Sequence, residues 1–368
     1  MNLDCIEKPT LLLNTARAQR NLERMAAKAA RQGIRFRPHF KTHQSIEIGD
    51  WFRQAGVTAI TVSSVDMAIY FAEAGWTDIL IAFSANRRQI REIKDLAGRI
   101  HLELLVESAE TVRYLDEHLK TAVDAWIKVD VGSHRTGIPV QEHAAICELA
   151  SQIKGSRLHF RGLLTHAGHT YHAASPATIA EIFEESRASL LQARAALLQA
   201  GFSQTELSYG DTPSCTLVED WTGFNEVRPG NFIFYDMIQR YLQVCAEEDI
   251  AVAVACPVVA KHIDGDVHKI VLHGGAVHLS KDFVELDGAA CYGAVAPLDS
   301  GGWGSTLPGA RLVSLSQEHG LAQVTSEQFA QIQVGDLLAV LPVHSCLTVD
   351  LYRQYLTTEG QVIGLKSG

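Results

Sequence analysis

The sequence predicts an α/β protein, a (β/α)8 TIM barrel with a C-terminal mostly β domain. In the first two thirds of its 368 residues, short apolar or β-branched runs alternate with longer amphipathic stretches, which is typical of repeated βα units. Beyond about residue 240, strand-like runs are separated by Gly, Asp and Ser turns, without convincing amphipathic helices. We therefore expect the barrel at residues 1-240 and the β domain at residues 241-368.

The expected barrel strands precede residue 240, at residues 11–14, 35–41, 59–63, 78–83, 101–106, 125–131, 160–166 and 206–209. Helical patterns such as those at 16–32 and 178–200 lie between them. Eight strands with helical crossovers fit a closed parallel barrel better than an open doubly wound sheet. Because no GxGxxG motif follows the first strand, a dinucleotide-binding fold is disfavoured.

The composition excludes several classes of protein. The 32 basic and 42 acidic side chains give a net charge of −10, which disfavours a nucleic-acid partner or a membrane-surface partner. The N-terminus lacks the basic start and apolar core of a signal peptide, so we expect a cytoplasmic location. The seven cysteines are scattered singly without a CxxC pair, which predicts reduced thiols rather than disulfides.

The segment RFRPHFKTH carries basic groups at alternate positions. On a strand these side chains share one face: Arg35, Arg37, His39 and Lys41. A solvated sheet edge would explain them, but a buried barrel strand needs a reason for four cations, and an anionic cofactor at the barrel mouth supplies one. Lys41 lies at the carboxyl end of this strand, where barrels keep their catalytic groups, and its amine suits covalent bonding to a carbonyl cofactor.

Small residues follow the last expected barrel strand. Gly210, Asp211 and Thr212 offer backbone N–H groups and close approach to a phosphate, and Gly230 and Asn231 in RPGNF are further candidates. Short Gly-containing loops are more often simple turns, so this signal is weak by itself.

The segment PVHSC contains a candidate metal pair. If it is a strand end, the i, i+2 spacing of His344 and Cys346 places both side chains on one face, as two ligands of one ion require. An HxC pair alone does not establish a metal site. An imidazole with a thiolate favours Zn2+ over Mg2+ or Ca2+, and two protein ligands leave positions open for water or substrate.

These motifs together resemble a known family. In chain order they are RPHFKTH, DVGSHRTGIP, GLLTHAGHTY, YGDTPSC, EVRPGNFIFYD and PVHSCLTVD. They resemble the D-serine dehydratase and D-threonine aldolase family of fold-type III pyridoxal-phosphate enzymes, relatives of alanine racemase. The resemblance implies pyridoxal 5'-phosphate (PLP), a divalent metal and a homodimer.

Carried onto this sequence, the resemblance makes Lys41 the Schiff-base lysine and places Arg135, in SHRTG, close to the pyridine ring. It places the Tyr171 hydroxyl at the ring nitrogen and makes His344 and Cys346 the metal pair. It also supports the phosphate-loop role expected of residues 210–212.

The implied reaction removes water from a D-3-hydroxy amino acid, giving a 2-keto acid and ammonia, with zinc as Lewis acid on the β-hydroxyl. The alternative is a D-threonine-type aldolase, whose relatives tend to carry an aspartate where this chain has Cys346; that departure favours the dehydratase. Mn2+ in place of Zn2+, a racemase and a non-catalytic PLP-binding protein are further alternatives. Which D-3-hydroxy amino acid is the substrate stays open.

Overall fold

The computed structural model describes residues 1–366. Its α-helices are α1 Thr15–Gln32, α2 Ile46–Gln54, α3 Val65–Glu73, α4 Ile90–Ala97, α5 Ala109–His118, α6 His143–Lys154, α7 Pro176–Gln199, α8 Thr212–Leu217, α9 Met237–Tyr241, α10 Ala276–Leu279, α11 Ser326–Gln331 and α12 Ser345–Asp350. Its strands are β1 Thr10–Leu13, β2 Arg35–Phe36, β3 Ile60–Val62, β4 Asp78–Ser84, β5 His101–Val106, β6 Asp124–Asp130, β7 Ile138–Pro139, β8 His159–Leu164, β9 Glu206–Tyr209, β10 Glu226–Val227, β11 Val252–Asp264, β12 Val267–His273, β13 Val284–Leu286, β14 Ala289–Cys291, β15 Gly293–Asp299, β16 Gly302–Trp303, β17 Arg311–Leu315, β18 His319–Val324, β19 Leu337–Pro342, β20 Gln354–Thr357 and β21 Val362–Gly364. Single 3-10 turns lie at Leu3–Cys5, Arg87–Gln89, Gly168–His172, Asn231–Ile233 and Glu247–Asp249.

Contacts divide the chain into two compact units. The barrel unit contains Glu23–Lys41 and Gly49–Gly230. The β unit contains Met1–Leu22, Thr42–Ile48 and the chain from Asn231 onward. The chain therefore passes between the units more than once, and the expected domain boundary at residue 240 stays a prediction.

The barrel unit contains eight parallel strands in the order β2-β10-β9-β8-β6-β5-β4-β3. A parallel bridge between His39 and Thr61 joins the two ends of this sheet. The amide of Phe40 donates to Thr61 O at 2.8 Å, and the Thr61 amide donates to Pro38 O at 2.9 Å. The predicted (β/α)8 barrel is confirmed.

The first predicted barrel strand was assigned to the wrong sheet. The run at 11–14 forms β1, which pairs antiparallel with β11 and parallel with β20 in the β unit. Its apolar side chains suit burial between strands in either sheet, so periodicity alone could not choose between them. The eighth barrel strand is β10, only two residues long, which is too short for a periodic signal.

Arg35 and Arg37 also have a different role from the expected one. Arg37 is 1% exposed and lies inside the barrel, where it donates to Glu226 at 2.6 Å, Glu103 at 2.8 Å and Asp78 at 2.6 Å. Arg35 pairs with Glu226 as well. Burial opposes the charge of Arg37, but the carboxylates outweigh it and raise its pKa. These two arginines need no anionic cofactor, because carboxylates neutralise them.

The long helix α7 shows how local sequence fixes an element of the barrel unit. The Ser175 hydroxyl accepts from the Thr178 amide as N-cap, and Pro176 occupies the first turn, where its missing N–H costs nothing. Buried Ile179 and Phe183 follow at helical spacing and belong to the face that packs inward.

The β unit contains a mainly antiparallel sheet in the order β12-β18-β17-β15-β19-β11-β1-β20-β21, with β16 beside β15. Strand β11 is buried over most of its first half, which explains its near-continuous apolar sequence. The predicted C-terminal mostly β architecture is confirmed. Among the helices of residues 1–366, none has the length and apolar character needed to cross a bilayer.

Candidate active site

The predicted cofactor residues of the barrel unit lie in loops at the carboxyl ends of its strands. Lys41 follows β2, Arg135 follows β6, Tyr171 follows β8, the loop 210–212 follows β9 and Gly230 follows β10. Because the strands are parallel, these loops open at the same end of the barrel. Residues up to 189 positions apart in sequence, Lys41 and Gly230, are thereby gathered at one mouth.

The loop that carries Arg135 is held by Asp130 at the end of β6. Asp130 accepts hydrogen bonds from the amides of Gly132 at 3.0 Å, Ser133 at 2.8 Å and His134 at 2.9 Å. A carboxylate that binds three successive amides fixes a tight turn. Arg135 is exposed directly after this turn.

His166 lies at the centre of a group of cations. Its Nδ1 bonds to Gly210 O at 2.7 Å, and a carbonyl only accepts, so Nδ1 carries the proton. Burial lowers the pKa of His166 well below its ordinary value, and nearby positive charges lower it further: Lys41, Arg135, Lys128 and Arg228. His166 is therefore neutral at neutral pH, and its Nε2 carries no proton.

Two of these cations, Lys128 and Arg228, were not predicted from the sequence. Lys128 is 6% exposed on β6, and burial together with Arg228 and Arg135 lowers its pKa to about 7. Arg228 is 5% exposed and donates to Ser208 Oγ at 2.7 Å and to the Thr165 carbonyl. A lysine inside the apolar run AWIKVD was the available signal for Lys128.

The loop after β9 contains a hydroxyl without a hydrogen-bond partner. Thr212 Oγ1 is buried and bonds to no group in residues 1–366, while the Thr212 amide donates to Tyr171 Oη at 3.2 Å. Asp211 accepts from the Ser214 amide at 2.6 Å and so caps α8, and burial raises its pKa to about 6. Thr212 is the member of this loop best placed to bind an anion, and the ring-nitrogen contact of Tyr171 stays a prediction.

The predicted metal pair lies in the β unit on a different element from the one expected. His344 is the N-cap residue of α12 and Cys346 is within that helix, so the strand-end interpretation was wrong. Strand pairing ends at Pro342, opposite Gly293, before the chain turns into the helix. The two side chains nevertheless lie in contact. A hydrogen bond between them is one cause of the raised pKa of His344.

Asp282 orients the His344 ring. His344 Nδ1 lies 2.7 Å from Asp282 Oδ2, which places the proton on Nδ1 and leaves Nε2 as the ligand atom. Burial opposes the imidazolium form, but Asp282 and Cys346 outweigh it and raise the pKa of His344 to about 10. A carboxylate behind a histidine is the usual support of a metal ligand.

Polar groups also surround Cys346. Its sulfur lies 3.2 Å from Thr42 Oγ1 and 3.8 Å from Asn231 Nδ2. The same amide nitrogen donates to Asp236 at 2.6 Å and Ser345 at 2.9 Å, whereas Asn231 Oδ1 is buried with no partner in the described chain. Asn231 thus lies beside the candidate metal pair, and its predicted cofactor role stays a prediction.

Two family models match the chain. The model "Alanine racemase, N-terminal domain" matches residues 13–237. The model "Putative serine dehydratase domain" matches residues 251–358. The first alone covers more than half of the chain, so it establishes the family.

Curated relatives match nearly full length. D-threo-3-hydroxyaspartate dehydratase of Delftia sp. (strain HT23) is 31% identical, over 97% of this chain and 96% of that protein. D-serine dehydratase of Dictyostelium discoideum is 27% identical, over 98% of this chain and 96% of that protein. The solved structure of the Delftia enzyme covers 99% of this chain and 98% of its own, with a TM-score of 0.91 and 29% identity. The predicted family resemblance is confirmed: the chain aligns over nearly its whole length with these two dehydratases, and it belongs to the alanine racemase N-terminal domain family.

Proposed function

We propose that this protein is a PLP- and zinc-dependent lyase that removes water from a D-3-hydroxy amino acid, giving a 2-keto acid and ammonia. The observation that carries the proposal is the geometry of His344, whose Nδ1 is bound by Asp282 while its other nitrogen and the Cys346 thiol remain as a ligand pair. A racemase or a passive PLP carrier has no use for such a pair.

The barrel mouth fits an anionic cofactor. The cations around His166 differ from Arg37: Arg37 has three carboxylates in hydrogen-bond contact, whereas Arg228 donates to a hydroxyl and a carbonyl and Lys128 donates to a carbonyl. The buried Thr212 hydroxyl lacks a partner within residues 1–366, as expected of a donor whose acceptor is a ligand. Lys41 is exposed at a strand's carboxyl end, where its amine can react with an aldehyde.

When bound, PLP withdraws electrons from the substrate Cα and a Lewis-acid metal stabilises the departing hydroxide. The residues of this chain have supporting roles. Lys41 Nζ accepts the Cα proton, as a freed amine can. Thr212 Oγ1 and the amides of its loop bind phosphate, and the Arg135 and Arg228 guanidinium groups hold negative charge at the mouth. His344 Nε2 and Cys346 Sγ hold the ion.

The donor types favour zinc. An imidazole and a thiolate select Zn2+ over Mg2+, whereas a histidine and a carboxylate would suit Mn2+ equally. Two solved relatives support a metal here: a cysteine-to-alanine mutant of D-threo-3-hydroxyaspartate dehydratase was obtained in the metal-free form, and a mutant of an enzyme with the same name replaces a histidine two positions earlier. The same spacing separates His344 and Cys346.

A product assay decides between elimination and aldol cleavage. The purified enzyme should convert D-serine or D-3-hydroxyaspartate to keto acid and ammonia, with the L-isomers inert. The aldolase is the competing assignment, since D-threonine aldolase of Arthrobacter sp is 25% identical over 63% of this chain. Glycine and an aldehyde without keto acid would overturn the dehydratase assignment.

Variants assign the residues. Borohydride fixation followed by peptide mapping should place the cofactor on Lys41, and Lys41→Ala should abolish both fixation and turnover. Cys346→Ala should lose metal and turnover but keep fixation at Lys41. Cys147→Ala is the matched control, because Cys147 is a half-buried thiol of the barrel unit, and it should change nothing. Fixation at another lysine would refute the cofactor assignment.

The homodimer and the cytoplasmic location stay predictions. Size-exclusion chromatography with light scattering measures the first directly. Mixing the Lys41→Ala and Cys346→Ala proteins is a further check, because recovered activity would require subunits that complement each other.

A further inference from the structure

Three metal-binding side chains meet in the β unit and share no residue with the candidate metal pair. They are His273 at the end of β12, His278 in α10 and Glu318 in the turn between β17 and β18. Their ligand atoms all lie within 4.8 Å of one another. Glu318 Oε2 is 3.9 Å from Nε2 of His273 and 3.8 Å from Nε2 of His278.

These distances are too long for hydrogen bonds. A salt-bridge cluster of two imidazoles and a carboxylate would close to about 2.8 Å. The Glu318 carboxylate thus faces both imidazoles without forming a hydrogen bond to either, and the two rings pack edge to face with their centroids 5.5 Å apart.

The backbone holds the two segments together. The amide of Gly274 donates to Glu318 O at 2.9 Å, and the amide of Ala276 donates to Ser316 O at 2.8 Å. Gly275 makes this contact possible, because a Cβ there would lie 2.3 Å from Gln317 O. The glycine pair in HGGAVH thus allows the strand end, the helix and the hairpin turn to be fixed against each other.

We propose that His273, His278 and Glu318 form a second metal site, which binds a zinc-class divalent transition metal. Two imidazoles and one carboxylate are a complete protein ligand set for an ion that keeps water in its remaining position. Donors of one tetrahedral ion lie about 3.3 Å apart, so only small side-chain rotations are needed. Glu318 is about half exposed and can supply them, its side chain being 47% accessible.

Binding requires one local change. The Gly275 amide donates to His278 Nδ1 at 3.3 Å, so that ring now carries its proton on Nε2. To ligate through Nε2, the proton must move to Nδ1, and this long hydrogen bond is lost. The nitrogen ligands disfavour Mg2+ and Ca2+, which prefer all-oxygen sites.

A second cluster of similar composition carries no such inference. Asp78, His101 and Glu103 also lie within 4.8 Å of one another. Arg37 donates directly to both of those carboxylates, so its positive charge occupies the position that an ion would need.

Metal counting tests the proposal. Full-length protein is stripped with a chelator, reloaded with Zn2+, desalted and analysed by plasma mass spectrometry. The double variant His273→Ala, His278→Ala should hold about one ion fewer per chain than the parent protein. His262→Ala is the matched control, an exposed histidine on β11 outside the cluster, and should hold the same number as the parent.

The Cys346→Ala background separates the two sites. In the Cys346→Ala protein, the ion at His273 and His278 should remain. Adding His273→Ala and His278→Ala to that protein should remove the ion, whether or not His344 and Cys346 bind a metal. Glu318→Gln preserves side-chain size and should weaken Zn2+ affinity at least about tenfold. This variant keeps the proposal testable if the double variant does not fold. Equal Zn2+ counts and titration curves for parent, double and Glu318→Gln proteins would overturn the proposal, as would binding weaker than about 0.1 mM.

Discussion

Replacing Arg37 by methionine tests the charge network inside the barrel. The substitution keeps an unbranched side chain but leaves Glu103 and Glu226 without their shared cation, and both carboxylates are 0% exposed. Removing one partner of a buried ion pair costs about 3–5 kcal/mol. We expect the free energy of unfolding to fall by that amount, because Glu103 would lose its cation and Glu226 would keep only the partly exposed Arg35, so the carboxylates would have to stay poorly compensated or bind protons.

Arg35→Met is the matched control. Arg35 pairs with the same Glu226 at 3.3 Å, but its side chain is 36% exposed. Solvent screens such a pair, so its loss should cost no more than about 1 kcal/mol. Adding Glu103→Gln to the Arg37→Met protein removes one unpaired charge and should recover part of the loss.

Urea unfolding at two pH values provides the assay. Trp126 is buried and donates to Glu103 at 2.5 Å, so its fluorescence reports on this region. Without Arg37, burial raises the folded pKa of the carboxyls above the ordinary 4.5, so stability is lost as pH rises through that range. The deficit should therefore be larger at pH 8 than at pH 5. A deficit equal to that of Arg35→Met, or independent of pH, would refute the reasoning.

Three further outcomes follow from single residues. Lys128 has a pKa of about 7 in the folded protein against 10.5 in the unfolded chain, so the free energy of unfolding of the parent protein should rise between those pH values. Lys128→Met should remove this pH dependence. At pH 7 it should raise the free energy of unfolding by a few kcal/mol, since one pKa unit corresponds to about 1.4 kcal/mol. Hydrogen bonds with two aspartates raise the pKa of His101 from 6.5 to about 10, so its contribution to the stability of the fold is complete below pH 6.5 and is lost as the pH rises to 10. His101→Gln should abolish this pH dependence, measured as the difference in Tm between pH 6 and pH 10. Asp282→Asn should weaken zinc affinity at His344 by about 10- to 100-fold in a chelator competition, and unchanged affinity would mean that Asp282 does not support the ligand.

The sequence predicted the loops of the barrel mouth well because parallel strands make strand ends converge. Lys41, Arg135 and Thr212 could be placed at one mouth once each was assigned to the end of a strand. The same reasoning gave the wrong role for two arginines, because their role depends on the side chains that they contact. Alternation placed Arg35 and Arg37 inside the barrel, but their carboxylate partners come from strands far along the chain.

Two further differences have local causes. His344 and Cys346 were expected on a strand, but α12 is only six residues long and its sequence, SCLTVD, contains β-branched residues that read as strand. The i, i+2 spacing predicted that the two side chains share one face of a strand; they also lie close together at the N-terminus of α12, and their role as a metal pair stays a prediction. Lys128 and Arg228 were missed since the burial that defines them depends on barrel closure.

Strand β1 has a consequence for how the chain acquires its structure. Its partners β11 and β20 begin at Val252 and Gln354, so β1 cannot pair until most of the chain has been synthesised. At 5–20 residues per second, ribosomal synthesis leaves β1 without its first partner for roughly 10 to 50 s. An apolar strand exposed for that time is an aggregation hazard, and a chaperone that shields the first twenty residues would raise the folded yield. Cutting the chain near residue 240 would make that exposure permanent.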